Sequence, residues 1–359
     1  MSIPLVSVVM SVRNGDQFLS KAVDSILDQS VRNFEFIIIN DGSTDRTASI
    51  LDRYQKDEPR LRVYHQGNRG LVVSLNHGCA LARGKYIARM DADDVASKDR
   101  LLWQIDFMEK HPEIGIIGGA VEFIDVDGVS MGISTNPTKD DQIKEAMRDG
   151  CPFWHPTVLM RKSVIESVGG YRKQVIDAED CDLWLRIAEH SQLANLEMVI
   201  LKYRLHPCQV SSKKCRQQAL STLAAHVAAE FRRSGQPDPL DSIEEITPDV
   251  LTALGVSVQV QESAIAGSYL WIIRRMCDSG QYLYAVELFK AMSRVCTWKH
   301  AKRPVRADLH MFSAYIYWRD QRYLKSITAG IQALVMRPVM LGRPLKPLMR
   351  MWRLAGPAS

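Results

Sequence analysis

The chain has 359 residues, of which 46% are hydrophobic and 24% charged, an ordinary globular composition with length for one large domain and a smaller one. No apolar run is long enough to span a bilayer, so we expect no transmembrane helix. The N-terminal segment lacks the basic region and cleavage site of a signal peptide, so we expect it to form a strand instead. The seven cysteines are scattered without a CxxC pair, which argues against a zinc site or a disulfide framework and favours a reducing, cytoplasmic compartment.

The net charge of +5 is unevenly distributed along the chain. The segment from Arg294 to Ser359 carries a net charge of +11, whereas residues 1–293 carry −6. The basic excess therefore belongs to the C-terminal end and is separate from the acidic cluster described below.

The N-terminal part of the chain alternates between strand and helix patterns. Four apolar runs typical of buried strands are predicted at residues 6–12, 34–39, 61–64 and 85–88. Apolar residues with helical spacing lie between these runs, and polar turns follow the first three. This β-α-β order predicts a mostly parallel sheet that binds ligands at the carboxyl ends of its strands.

A cluster of carboxylates follows the fourth strand. Asp91, Asp93 and Asp94 fall within four residues, and like charges this close repel strongly unless a cation lies among them. Acidic oxygens at alternate positions of an extended chain point to one side and suit Mg²⁺ or Mn²⁺, which in turn suits a diphosphate. The competing interpretation is a helix N-terminus, in which Asp93 or Asp94 caps a helix over residues 97–110.

Polar loops follow two strands at the same predicted edge of the sheet. Residues 40–43 follow the second strand and residues 91–93 the fourth, which predicts one shared site. Neither a GxGxxG nor a GxxxxGK[ST] motif occurs in the sequence. A nucleotide would therefore be held through its base, its ribose and a metal.

Beyond residue 113 the pattern changes to mixed α and β. The predicted elements are strands at residues 114–119, 157–160 and 200–206, a hairpin near 122–128, helices at 140–147 and 163–168, and a loop at 151–156 that could close over a ligand. Residues 178–186 place several acids at the start of an amphipathic helix.

The sequence resembles the large family-2 glycosyltransferases of GT-A fold over roughly residues 3–212. The motifs that carry the resemblance follow the family's order: VSVVMSVRNG, NDGSTDRT, NRG, ARMDADD, HPTVLMRK, AEDCDLWLR and YRLHP. Each is unremarkable alone, but the ordered set is specific. Together with the helical pattern beyond it, the resemblance implies an α/β, Rossmann-like catalytic domain with a mostly parallel sheet over residues 1–215 and a helical domain over residues 216–359.

The resemblance also implies an activity. We expect an inverting transfer of a hexosyl or N-acetylhexosaminyl group from a nucleoside-diphospho-sugar, with a UDP-sugar as the expected donor and Mg²⁺ or Mn²⁺ as the cofactor. The expected acceptor is a glycan or a polyprenyl-diphosphate-linked intermediate of a cell-surface polysaccharide.

Roles for individual residues follow from the same resemblance. The implied nucleotide-binding residues are Val12, Asn14, Asp41, Arg69, Asp91 and Ala92. Asp41 would accept a hydrogen bond from uracil or thymine N3–H, because a carboxylate can only accept. The metal would be bound by Asp93 and His206. For Asp41, Arg69 and His206 the alternatives of a turn residue, a solvated surface arginine and a strand-end histidine stay open.

Asp180 would be the catalytic base, and Glu179 would position it or the acceptor. Inverting transfer needs one carboxylate to take the proton of the incoming hydroxyl. A free aspartic acid has a pKa of ~3.9, which is too low for an ideal base, but burial and neighbouring acids could raise it. The alternative is that these acids only interact with the start of a helix. His155 and Arg186 are candidates for contacts with the acceptor or the diphosphate.

Arg13 departs from the family pattern, because many relatives have an aromatic residue there, and this favours a polar contact over stacking on the base. Two other functions are weighed. A nucleotidyltransferase needs a glycine-rich, basic loop after the first strand, for which residues 13–15 are a poor substitute. A non-catalytic glycan- or partner-binding module would not need the acids, all of which are present. No motif of a nucleic-acid-binding fold occurs.

Helical patterns fill the C-terminal third beyond a linker at residues 234–239. Two similar segments, 280–285 and 321–326, lie 41 residues apart and predict a degenerate helical-hairpin repeat of tetratricopeptide type. Residues 337–359 combine basic and apolar side chains without acids. Our hypothesis is that this segment rests on an anionic cytoplasmic membrane surface, and the alternative is a basic helix docked on the acidic catalytic half.

Overall fold

The structure is a computed structural model that describes residues 3–206, 214–278, 281–319 and 322–337. The chain divides into two compact units, one formed by Met1–His206 with Ala228–Pro239 and the other by Pro207–Val227 with Leu240–Ser359. The domain boundary predicted at residue 215 stays a prediction.

A mixed, mostly parallel sheet is the centre of the first unit. Its described strands are β1 Val6–Val12, β2 Phe34–Asp41, β3 Leu61–Gln66, β4 Tyr86–Arg89, β5 Val95–Ala96, β6 Ile114–Ile124, β7 Ser130–Ser134, β8 Leu159–Arg161 and β9 Gln192–Arg204. They are ordered β3-β2-β1-β4-β8-β6-β9-β5, with β7 paired to β6. The β1–β2, β1–β4, β2–β3 and β6–β9 pairs are parallel. This confirms the predicted fold class.

Helices cover the sheet in the order that the sequence predicted. The helices before residue 207 are α1 Leu19–Leu27, α2 Thr47–Asp57, α3 Leu71–Leu81, α4 Arg100–Lys110, α5 Asp140–Ala146, α6 Lys162–Ser167 and α7 Glu179–Ala188. Every residue of β2 and all but one of β1 are buried, because helices pack on both faces of a parallel sheet. Such strands are nearly continuous apolar runs, which is why their positions were readable from the sequence.

Among the predicted element boundaries that differ from the structure, two show the effect of tertiary pairing. The helix expected to begin at residue 97 begins at Arg100, and Val95–Ala96 form a short strand that pairs with β9. The last strand was expected at residues 200–206, but β9 begins at Gln192 and pairs in parallel with β6. Its first half carries Asn195 and Glu197, which interrupt the apolar pattern. Sheet pairing therefore prevails there over the local sequence signal.

The second unit is helical. After α8 Cys215–Arg233, which contributes residues to both units, the described helices are α9 Pro248–Ala253, α10 Val258–Asp278, α11 Tyr282–Val295, α12 Arg303–Arg319 and α13 Tyr323–Met336. Helices α10 and α11 pack together, as do α12 and α13, where the Ser326 hydroxyl donates to the Ala314 carbonyl at 2.7 Å. The second helix of each pair starts in one of the two similar segments. Their assignment as a tetratricopeptide-type repeat stays a prediction.

Within the described ranges, none of the helices combines the length and the apolar character that crossing a bilayer requires. The hypothesis of membrane contact falls on the basic segment 337–359, all of which beyond Arg337 lies outside the described residues.

Candidate active site

The acidic cluster lies just beyond the carboxyl end of β4. Asp91, Asp93 and Asp94 each place one carboxylate oxygen within 4.8 Å of the others, which makes them the one such group of potential ligands in the part of the chain that the structure describes. The side chains of Asp91 and Asp93 are about one-third exposed, whereas Asp94 is buried. The cluster therefore combines two solvent-accessible carboxylates with one buried carboxylate.

Basic groups from distant segments surround these acids. The buried guanidinium of Arg89 forms an ion pair with Asp91. Arg204, at the end of β9, donates from its backbone N–H to Asp94 Oδ1 at 2.7 Å and from its Nε to the Asp93 carbonyl at 2.9 Å. His206 Nε2 lies 2.9 Å from Asp93 Oδ2. Sheet pairing of β9 with β6 and β5 thus brings His206 to the cluster, and its role toward a metal stays a prediction.

The position of Asp94 contradicts the competing interpretation that it caps the next helix. The N-cap of α4 is Asp99, and Asp94 is instead buried, at 1% exposure. Its Oδ2 is buried and has no hydrogen-bond partner among the described residues. Burial, and then the negative charges of Asp93 and Asp91, raise the pKa of Asp94 well above its usual value.

The residues of the cluster fit a divalent cation. Three carboxylates and an imidazole are donors that Mg²⁺ or Mn²⁺ accepts, and a bound cation would offset both the mutual repulsion of the acids and the orphaned oxygen of Asp94.

A second set of acids lies at the N-terminus of α7. Glu179 is buried, and its Oε2 has no partner within the described part of the chain. Burial, and then the charge of Asp180, raise the pKa of Glu179 to about 8. Asp180 Oδ1 accepts a hydrogen bond from the Cys181 backbone at 2.7 Å, and burial raises its pKa above the usual value. The shifts go in the direction that a general base near neutral pH requires.

The two sets of acids lie close enough to interact electrostatically. The charge of Asp91 contributes to the raised pKa of Asp180, and Arg89 opposes that shift. Asp91 and Glu179 in turn help to keep Arg89 charged despite its burial. Arg89 is therefore a cation shared by the acidic cluster and the pair on α7.

His155 lies beside the pair on α7. Its Nδ1 is 3.9 Å from Asp180 Oδ2 and 4.0 Å from Glu179 Oε1, and its Nε2 is 3.0 Å from the Tyr171 hydroxyl. Burial, and then the charge of Arg89, lower the pKa of His155 well below its usual value. The imidazole is therefore neutral at neutral pH.

The loops expected to hold the nucleotide are cross-linked to one another. Asn14 adopts a left-handed backbone conformation with φ of 53°, and its Oδ1 accepts from the Thr44 backbone at 2.8 Å. Asp41 accepts from the backbone N–H groups of Arg69 at 2.7 Å and Gly70 at 2.9 Å. These bonds hold the NRG turn in place, so a base that contacted Asp41 would share an oxygen that already accepts hydrogen bonds.

The other predicted nucleotide-binding residues differ in exposure. Val12 is buried at the end of β1, whereas the side chain of Arg69 is exposed. Ala92 lies between Asp91 and Asp93 at intermediate exposure. Their roles toward a nucleotide stay predictions.

Arg186 does not join the site as expected. It is buried, and its guanidinium donates to Asp182 and to the carbonyls of Val168 and Gly170. These bonds tie α7 to the preceding turn, so we leave Arg186 out of the proposed acceptor and diphosphate contacts.

Sequence reasoning passed over three residues that the structure brings to the site: Arg89, Tyr171 and Arg204. Arg89 and Arg204 each stand in a motif that was recognised, and each is the last residue of its strand. For Arg89, which ends an otherwise apolar strand, the charge itself was the available signal, because a buried arginine needs a partner. Tyr171 gave no such signal.

Comparisons with known proteins identify the fold and the family. The fold, a mostly parallel sheet with carboxylates at its carboxyl edge, is that of the GT-A glycosyltransferases. One solved structure of this fold, a mannosyltransferase from Pyrobaculum calidifontis in complex with GDP-Man and Mn²⁺, has a TM-score of 0.51 at 16% identity and covers 93% of this chain and 87% of its own.

Residues 7–169 match the sequence profile of the family described as Glycosyl transferase family 2. The putative glycosyltransferase EpsE of Bacillus subtilis is 37% identical over 207 residues, 56% of this chain and 73% of that protein. The O-antigen biosynthesis glycosyltransferase WbnJ of Escherichia coli is 32% identical over 206 residues, 56% of this chain and 80% of that protein. The chain belongs to glycosyl transferase family 2, which confirms the resemblance, and it is a glycosyltransferase.

Proposed function

We propose that the protein transfers a sugar from a nucleoside-diphospho-sugar to a hydroxyl group of a growing surface polysaccharide, with inversion at the anomeric carbon. The observation that carries this proposal is the placement of the buried Glu179 and the partly exposed Asp180 beside an acidic cluster, with the charge of Arg89 acting on both. The O-antigen role named for WbnJ supports a polysaccharide product.

The donor side of the site is formed by the cluster at the end of β4. Asp91, Asp93, Asp94 and His206 would hold a Mg²⁺ or Mn²⁺ ion, which when bound supplies positive charge for the diphosphate. The Mn²⁺ and GDP-Man of the structural neighbour agree with a cation and a nucleotide-sugar. We propose a UDP-sugar as the donor, and the donor assay below compares UDP-sugars with GDP-sugars.

Asp180 performs the proton transfer. The hydroxyl oxygen of the acceptor forms a bond to the anomeric carbon while the bond from that carbon to the diphosphate oxygen breaks, and the nucleoside diphosphate leaves with the electron pair. The carboxylate of Asp180 takes the hydroxyl proton. Since the pKa of Glu179 is about 8, its protonated carboxyl can donate a hydrogen bond to a sugar hydroxyl from Oε2, which has no partner among the described residues.

The first test measures nucleoside-diphosphate release and sugar transfer from a panel of UDP- and GDP-sugars, with free and polyprenyl-diphosphate-linked glycans as acceptors. Replacing Asp180 by Asn removes the base and is expected to lower kcat by about 10²- to 10⁴-fold. Asp106→Asn, which changes a carboxylate that is 61% exposed on α4, is the matched control and should transfer normally. Full transfer activity in Asp180→Asn would contradict the assignment.

The second test measures the cation directly. Mn²⁺ at a hundred times its dissociation constant should stabilise the protein by about 2.7 kcal/mol, seen as a rise in Tm. Asp93→Ala and Asp94→Asn should each reduce this rise, because each removes a carboxylate from the cluster. A rise of equal size in both variants and in the unchanged protein would place the cation elsewhere.

A further inference from the structure

The buried Tyr171 and the largely buried His155, whose side chain is 11% exposed, form a pair beside the proposed catalytic acids, and the reaction described above uses neither. The Tyr171 hydroxyl lies 3.0 Å from His155 Nε2, and Tyr171 is 4% exposed. The imidazole ring packs against the Tyr171 ring at a centroid distance of 5.6 Å and edge-on against Trp184 at 5.7 Å. The ring is thus held on two sides and by a hydrogen bond.

Asn76 on α3 fixes the backbone of Tyr171. Its side chain donates to the Tyr171 carbonyl at 2.8 Å and accepts from the Tyr171 N–H at 3.0 Å. The preceding Gly170 has φ of +72°, and a Cβ there would lie 2.8 Å from Asn76 Oδ1. Glycine at position 170 is therefore required for this pair of hydrogen bonds. The pair holds the backbone of Tyr171, and with it the hydroxyl, in a defined position.

The groups around the imidazole determine which nitrogen carries the proton. Nδ1 faces Asp180 and Glu179, so a proton on Nδ1 directs the positive end of the N–H dipole at carboxyl oxygens. Nε2 then carries no proton, and its lone pair accepts the hydrogen bond of the Tyr171 hydroxyl. The opposite tautomer would turn a lone pair toward the acids.

The distance from Nδ1 to the acids matches one bridging oxygen. At 3.9 Å from Asp180 Oδ2, Nδ1 is too far for a direct hydrogen bond. An oxygen placed about 2.8 Å from both atoms would close the gap with an angle of about 90° at that oxygen. A hydroxyl in this position would accept from Nδ1–H and donate to Asp180.

We propose that Tyr171 is a positioning residue that holds His155 as the Nδ1–H tautomer, and that this N–H donates to the acceptor hydroxyl whose proton Asp180 takes. This inference rests on the proposed function. It assigns His155 to the acceptor oxygen and Tyr171, with Asn76, to the orientation of that contact.

The tautomer is tested without turnover. The full chain is labelled with ¹⁵N in the histidine rings and measured by NMR, and the His155 signals are identified by their loss in His155→Gln. These signals should show a protonated Nδ1 and an unprotonated Nε2. Tyr171→Phe should shift the population toward the other tautomer, whereas the control Tyr54→Phe, which removes a hydroxyl bound to Asp24, should not. A protonated Nε2 in the unchanged protein, or an unchanged spectrum in Tyr171→Phe, would overturn the proposal.

The contact with the acceptor is tested by a matched pair of substitutions. The amide of Asn reaches the position of Nδ1, and the longer amide of Gln reaches that of Nε2. His155→Asn should therefore keep most of the kcat/KM for the acceptor, while His155→Gln should lose roughly tenfold, the effect of one hydrogen bond, with an unchanged KM for the donor. Equal losses in both variants would overturn the role of Nδ1–H. An absence of any transfer with every donor would refute the proposed function but leave the tautomer result standing.

Discussion

Glu179 is a carboxyl group whose surroundings keep it protonated at neutral pH. It is 4% exposed, and burial together with the neighbouring Asp180 raises its pKa from 4.5 to about 8. Between these two values the folded chain binds a proton that the unfolded chain does not. A rise in pH across this range therefore lowers the free energy of unfolding.

Replacing Glu179 by Gln should remove this pH dependence, because the amide has no proton to release. We expect the Tm of Glu179→Gln to match that of the unchanged protein near pH 5 and to exceed it increasingly toward pH 8, by about 2–4 °C for each kcal/mol. Differential scanning calorimetry across the range measures this. Glu166→Gln, at a carboxylate that is 64% exposed, is the control and should show a constant difference. A constant difference in Glu179→Gln as well would contradict the raised pKa.

Arg89 shows why single residues in this site cannot be interpreted alone. It is buried at 3% exposure, pairs with Asp91, and its positive charge opposes the upward pKa shifts of both Glu179 and Asp180. One cation therefore limits the repulsion within two sets of acids.

Among the elements, the turn before β4 lies close against the backbone of β1. The backbone N–H of Gly84 donates to the Ser7 hydroxyl at 2.9 Å, and a Cβ on Gly84 would lie 2.7 Å from the backbone nitrogen of Ser7 and 2.8 Å from the Val6 carbonyl carbon. Backbone atoms in a central strand cannot move aside cheaply. The turn thereby sets the position of β4 next to β1, and β4 carries the acidic cluster.

Gly84→Ala should therefore destabilise the protein by about 1–3 kcal/mol, the usual effect of overpacking. Urea unfolding measures the change. Gly150→Ala, where a Cβ would meet nothing within 4 Å, is the control and should stay within about 1 kcal/mol of the unchanged protein. Equal stabilities of the two variants would show that β1 can shift to accommodate the methyl group.

At the scale of the whole molecule, a segment distant in sequence completes the first unit. Asp238 accepts from Arg172 at 2.8 Å and pairs with Arg232, and Arg232 also donates to Glu189. Arg172 in turn pairs with the fully buried Asp182 on α7. The end of α8 and the residues after it are therefore part of the structure that supports α7.

Asp238→Ala leaves two partly buried guanidinium groups with one partner fewer, and we expect a loss of about 1–3 kcal/mol in the free energy of unfolding. The exposed Glu244→Ala, close by in sequence, should change it by no more than about 0.5 kcal/mol. Chemical denaturation of the full chain compares the two. If both variants unfolded alike, the ion pairs of Asp238 would not contribute to stability.

The strands that could be predicted are those that the chain buries on both faces. The apolar runs of β1 and β2 are continuous, so their positions were evident, and the acids after β4 were found with them. The first half of β9 was missed because Asn195 and Glu197 break its pattern. Asn195 is nevertheless buried, where its amide donates to the carbonyls of Pro137 and Pro152, partners that are dozens of residues away.

By itself, the sequence determined the order of the strands and helices, the family, and the positions of the acids that follow β4 and begin α7. These properties depend on local periodicity and on short motifs, which the linear order of residues contains. Only the tertiary structure decided that Asp94 is buried with an orphaned oxygen, that Arg89 interacts with both sets of acids, and that Tyr171 meets His155. Burial and electrostatic interaction depend on atoms that distant segments bring together, and the local pattern does not contain them.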